Sequence, residues 1–173
     1  MKWNNNTKEL YYEIVNQMPE YYATLDDPAK QVKPALLLVD ETKNATNTNV
    51  FSDYVSHLND PHSASVKMKK IIAKMKEKGE MDVTHSIFVA ENWVSKIHKD
   101  EKWDNRKPSE DPGRIEQVAI SIEDIEGNCI LTTYDLFRTE SEIVCANKVV
   151  MDSEDTEWNI EGRGNLYNLL GKD

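Results

Sequence analysis

The chain has 173 residues, 39% hydrophobic and 30% charged, with a formal net charge of −10. This length suits one domain, residues 1–173, whose core needs no disulfide or metal to hold it. The acidity argues against general affinity for phosphate backbones or anionic membranes, and no run of about 18 apolar residues is there to span a bilayer.

The first 18 residues read as a helix. Leu10, Tyr11, Ile14, Val15 and Met18 recur with helical spacing. Asn6 can cap the helix with Glu9 three residues later, and Pro19 is expected to end it. Residues 20–33 form a polar connector containing Asp26-Asp27-Pro28. Ala35–Val39 is a short apolar run after a proline, which predicts a strand buried on both faces. A polar loop is expected from Thr42 to Asn49, then a short helix around Phe51, Tyr54, Val55 and Leu58. Ser63 or Ser65 can cap a further helix whose stripe is Met68, Ile71, Ile72 and Met75, with Gly79 at its end.

Val83–Ile97 predicts a long strand, followed by a charged loop over 98–114. The last third predicts an antiparallel meander with strands at 115–125, 129–138 and about 142–151, the first turn marked by Gly127-Asn128. In the expected register Ile120 faces Tyr134, Val118 faces Leu136 and Leu136 faces Val144. One face then gathers Val118, Ile120, Ile122, Tyr134, Leu136, Val144 and Val150. Cys129 falls opposite Met151, away from Cys145, so both cysteines are expected to be free thiols. Residues 152–161 are acidic, and Leu166, Leu169 and Leu170 suggest a short terminal helix. The expected fold is α+β: an antiparallel sheet of about four to five strands with two to three helices packed on it.

Two segments carry a resemblance. Phe88-Val89-Ala90-Glu91-Asn92-Trp93 and Lys107-Pro108-Ser109-Glu110-Asp111-Pro112-Gly113-Arg114-Ile115-Glu116 resemble a group of small bacterial and phage proteins. In that group a strand ending in Glu-x-Trp precedes a Pro-Ser-x-x-Pro-x-Arg-x-Glu loop. The resemblance covers roughly residues 82–125. The group has no assigned activity, so it implies a compact domain and a phage or mobile-element setting, and no mechanism. The excess of 17 lysines over 4 arginines, with 15 asparagines, also fits an AT-rich bacterial or phage genome. The two unpaired cysteines and the missing apolar leader at Met1–Asn6 point to a bacterial cytoplasm.

Glu91, Trp93, Arg114 and Glu116 form the most specific cluster. As a recognition site, Arg114 would hold a carboxylate or phosphate and Trp93 would offer a stacking surface. As a structural clamp, the same residues would pin the mouth of the 98–114 loop, with Glu91 meeting Arg114 and Trp93 packed beneath them. A second candidate is Asp27 with Glu41 and Lys43, in the manner of Mg²⁺-dependent nucleases whose carboxylates hold the ion. Glu-x-Lys is common by chance in a charged chain, and a strand running into a solvated loop explains it equally well.

His57, His62, His85 and His98 show no zinc-ligand spacing, and His85 reads as a histidine at the core edge. Gly162-Arg163-Gly164 is too short for a phosphate loop. Lys67, Lys70, Lys74 and Lys78 share one side of their helix, within a segment of local charge +5 while the rest of the chain carries −15. That side is either a solvated face or a contact for nucleic acid or another acidic partner. The expectation is a non-enzymatic interaction protein that binds another macromolecule, a protein first of all, with no metal or cofactor. The alternatives are a Mg²⁺-dependent nuclease, or a small-ligand sensor around Trp93 and Arg114. Homo-oligomerisation is open.

Overall fold

The computed structural model of the chain describes residues 1–48, 61–95, 110–153 and 170, and of residues 61–65 the helical backbone alone. The described elements are α1 (Asn5–Ala23), β1 (Ala35–Asp40), β2 (Ala45–Asn47), α2 (Pro61–Glu77), β3 (His85–Val94), β4 (Ile115–Asp124), β5 (Cys129–Arg138) and β6 (Ile143–Asp152). The six strands make one antiparallel sheet in the order β2-β1-β3-β4-β5-β6. The fold is α+β as expected, with a wider sheet. The additional strand is β2, which folds back on β1 through residues placed in a polar loop by their composition. Asp40 accounts for the turn: its buried carboxylate accepts the backbone N–H groups of Thr42 and Lys43 and the Thr42 hydroxyl. Asn44 then takes a φ of 49°, a conformation asparagine tolerates well.

The helices cover opposite faces. On one, Tyr11, Val15 and Tyr22 of α1 pack on Val39, Ile87, Val89, Val118, Ile120, Ile122, Tyr134 and Leu136. On the other, Met68 and Met75 of α2 pack on Leu36, Leu38, Phe88 and Ala90, together with Met81, Val83 and Leu170. β1 and β3 are thus buried on both sides, which is why Ala35–Val39 reads as a continuous apolar run. Gly79, at φ 68°, closes α2: its N–H reaches Lys76 O, and the Glu80 N–H reaches Met75 O.

Three expectations for α1 and the meander are corrected. The N-cap is Asn4, whose side chain accepts the Thr7 N–H, rather than Asn6. Pro19 lies inside α1, which runs on to Ala23. Proline removes the N–H that would bond Val15 O, and the Tyr134 hydroxyl replaces it, donating to Val15 O at 3.1 Å. The meander strands hold, but their registers shift. Val118 pairs with Tyr134 and Ile120 with Thr132, two residues from expectation, because the turn centres on Glu126 and is held by the Asp124 carboxylate. A two-residue shift keeps every β4 side chain on its expected face.

On β6 the shift is one residue near Leu136, which faces Cys145. Val144 therefore turns to the other face and is exposed, while Ile143 and Cys145 join the core. A bulge opposite Tyr134, with Asn147 at φ 52°, moves the remainder one residue further. Val150 keeps its face but, on the sheet edge, stays exposed. Met151 pairs with Leu131, not Cys129, and both cysteines are free. The strand expected over Val83–Ile97 is His85–Val94. The helix expected around Phe51–Leu58, the side chains of His57, His62 and His98, the Gly162–Gly164 segment, and Leu166 and Leu169 lie outside the described residues.

Candidate functional site

At the end of the sheet where β3 stops and β4 starts, one arginine gathers what the chain separates by more than a hundred residues. Strand alternation puts Glu91 and Glu116 on the α1 face of β3 and β4, and Arg138 ends the inward row Tyr134, Leu136 on β5. Arg138 Nε donates to both oxygens of Glu116, each at 2.9 Å, and Nη2 lies 3.0 Å from Glu91 Oε1. Nη1 donates to the carbonyls of Pro28 (2.6 Å) and Lys30 (3.0 Å). Glu91 Oε1 accepts the Tyr22 hydroxyl at 2.8 Å and the Val32 N–H at 2.9 Å. The group ties the connector after α1 to the sheet through its backbone.

The electrostatics follow from burial. The side chains of Arg138, Glu91 and Glu116 are only 17%, 7% and 9% exposed. Desolvation works against the Arg138 cation, but hydrogen bonds and charge from Glu116 and Glu91 outweigh it and raise its pKa above the ordinary value. Burial also raises the Tyr22 phenol, and its bond to the Glu91 carboxylate raises it further. The cluster holds two carboxylates and one guanidinium. Glu91 Oε2 and the Oγ of Ser95, the residue after β3, are buried and make no hydrogen bond, and the equally buried Arg138 Nη2 has Glu91 Oε1 at 3.0 Å as its partner.

Trp93 and Arg114 sit at the same end and do something else. Trp93 is 41% exposed, and the Arg114 guanidinium lies 4.5 Å from the centroid of its ring. Trp93 pairs with Glu116 across the strands, and Glu91 with Val118. The expected meeting of Glu91 with Arg114 is corrected: the arginine that meets Glu91 is Arg138. Trp93 is not packed beneath an ion pair, because an arginine on a strand end stacks on the exposed ring while the inward one takes the carboxylates. Of the four expected residues, Glu91 and Glu116 belong to an internal clamp, and Trp93 and Arg114 form a surface stack beside it.

Asp27, Glu41 and Lys43 do not converge. Asp27 precedes Pro28, at the Arg138 end, and its carboxylate accepts the Ala29 N–H. Glu41 lies at the other end of the sheet, accepting the Asn4 N–H at 2.7 Å and standing 3.7 Å from His85. The six residues from His85 to Glu91 along β3 separate these ends by about 20 Å. Lys43 Nζ donates to the carbonyls of Gly79 and Glu80, closing the end of α2. Among the described residues no three His, Cys, Asp or Glu side chains are placed to hold a metal ion.

His85 is buried, with its ring nitrogens 3.1 Å from Lys2 O and Thr84 Oγ1, as a core-edge histidine should be. Lys67, Lys70, Lys74 and Lys78 are all exposed on the outer side of α2, and Lys78 pairs loosely with Glu80 at 3.4 Å. No described helix is long and apolar enough to cross a membrane.

Sequence reasoning missed Arg138 and Tyr22. The signals were present: Tyr22 continues the spacing Tyr11, Val15, Met18 beyond Pro19, and Arg138 falls on an inward position of an alternating strand. No protein-family model, no curated protein and no solved structure matches the chain.

Proposed function

We propose that the chain is a non-enzymatic accessory protein, of phage or mobile-element origin, that acts by binding another protein at the end of its sheet. The observation that carries this reading is the exposed Trp93–Arg114 stack beside a rigid, internally paired clamp. Tryptophan and arginine dominate the energetic centres of protein interfaces, and a ring held on a strand loses little freedom on binding. The residues that the nuclease reading would use stand apart and are engaged separately: Asp27 accepts the Ala29 N–H, Glu41 accepts the Asn4 N–H, and Lys43 donates to the Gly79 and Glu80 carbonyls. Cleavage of single- or double-stranded nucleic acid with Mg²⁺ or Mn²⁺ is therefore not expected. Such cleavage, lost in Glu41→Gln, would return the nuclease reading.

The test is affinity capture from the native host with wild-type and Trp93→Ala baits, read by quantitative mass spectrometry. A partner enriched by the wild type and depleted at least tenfold on Trp93→Ala supports the reading. Identical profiles from the two baits would remove the stack from any interface. A second reading, a small-ligand sensor at the same end, is favoured by the buried Glu91 Oε2 and Ser95 Oγ, which lack hydrogen bonds.

A further inference from the structure

Among the described residues β6 forms one edge of the sheet and β2 the other. β2 is 3 residues long, whereas β6 runs for 10, Ile143–Asp152. An edge of that length presents a row of N–H and C=O groups with which another strand can pair. It is also apolar: Val144, Val149 and Val150 are exposed, Val150 at 54%. The Ser153 N–H donates to Cys129 O at 2.8 Å, toward β5. Backbone groups alternate along a strand, so those of Val150 and Asp152 point away from β5. The register sets the faces. Val150 and Asp152 pair with Thr132 and Ile130 of the α1 face, and Lys148 reaches the Tyr134 ring of that face, its Nζ 5.8 Å from the centroid. Val149 and Met151 pair with Thr133 and Leu131 on the other face.

We propose that β6 pairs antiparallel with β6 of a second copy of this chain, the two-fold axis passing at Val150. Val150 then exchanges two hydrogen bonds with Val150 of the second copy. Val149 stands opposite Met151, apolar against apolar, and Lys148 opposite Asp152, cation against anion, each pair sharing a face. The charge placement singles out a copy of this chain as the occupant. Lys148 and Asp152 lie symmetrically about Val150, so a strand reversed about that residue brings each to its opposite, while a parallel copy would set like charges together. A carboxylate has about four lone-pair sites, so Asp152 can accept from the second copy's lysine alongside its partner within the chain. The bulge opposite Tyr134 confines the pairing to the segment after it, and β2 is too short to continue the row at the far edge. The interface is therefore small and closed at two copies, which suits a reversible dimer. This edge is a different surface from the Trp93–Arg114 stack, and the inference does not rest on that stack.

The test is sedimentation equilibrium of the full chain from micromolar to submillimolar concentration. The mass should rise with concentration from one chain to two and no further. Val150→Lys sets two cations at the axis. Because Val150 is exposed, that variant should keep the wild-type melting temperature in dilute solution and dimerise at least tenfold more weakly. Lys148→Glu and Asp152→Lys should each weaken dimerisation at least tenfold. An equimolar mixture of these two variants should recover the wild-type affinity, because opposite charges then face each other across both ends of the pairing. A single-chain mass throughout the range overturns the proposal, as do assemblies larger than two. Undiminished dimerisation in Val150→Lys would place the interface elsewhere, and a mixture that does not recover would remove the antiparallel register; either result overturns it. The mixture decides the matter even if Val150→Lys fails to fold.

Discussion

Asp40 shows how one buried side chain in this protein closes a turn and ties it to a neighbouring segment. Burial alone would raise its pKa, but the Thr42 hydroxyl and the backbone N–H groups of Asp82, Lys43 and Thr42 together hold it below the ordinary carboxylate value. A carboxyl depressed in the folded state stabilises above its unfolded pKa, about 3.9, and that stabilisation fades as pH falls through the folded value. Asp40→Asn should therefore lower stability at pH 7 and flatten the loss of stability below about pH 4. Urea midpoints measured across pH read this directly; parallel curves for the two proteins would contradict it. Tyr22→Phe removes the hydroxyl that Glu91 accepts and should cost about 1–2 kcal/mol, since the carboxylate is left short of a donor. Cys145 is pushed up to about 11 by burial. In the native protein a thiol reagent should thus label it slowly, and denaturation without reductant should expose two thiols; finding none would show a disulfide.

At the scale of elements, α1 is held at three levels: Asn4 by Glu41 at one end, Tyr22 by Glu91 at the other, and Val15 O by Tyr134 between. The middle contact exists because Pro19 cannot make it. Tyr134→Phe should cost about 1 kcal/mol with Pro19 present and less in a Pro19→Ala background, where the helix supplies its own N–H to Val15 O. A double-mutant cycle with no coupling would refute that account.

The same contact explains where sequence reasoning ran short. The α+β class, the two described helices and the meander were legible, because period 2 and period 3.6 are written in adjacent residues. Pro19 read as a stop because its compensation comes from a tyrosine 115 positions later. The turn centres at Glu126 and beyond Arg138 depend on which side chain closes each turn, the Asp124 carboxylate in the first and the Thr139 hydroxyl in the second, and an error of one residue in the second reversed Val144 and Cys145. Within the candidate cluster, Glu91, Trp93, Arg114 and Glu116 were legible as neighbours. Their partner Arg138 was not, since nothing local marks which arginine a strand end will meet.

For the whole molecule, the sheet end divides into a clamp that stabilises and a stack that is displayed. Arg138 holds two nearly buried carboxylates and two connector carbonyls, so Arg138→Met leaves unpaired buried charge and should cost about 3–5 kcal/mol. Trp93 with Arg114 is a surface pair worth about 1 kcal/mol. In a domain of this size each kcal/mol moves the melting temperature by about 2–4 °C. The measurement that separates clamp from stack is thermal unfolding of Trp93→Ala and Arg138→Met beside the wild type. The account predicts a fall within about 4 °C for Trp93→Ala and one of at least about 6 °C for Arg138→Met. Equal losses in the two variants, or the larger loss in Trp93→Ala, would make Trp93 part of the clamp and contradict its role as a displayed recognition surface.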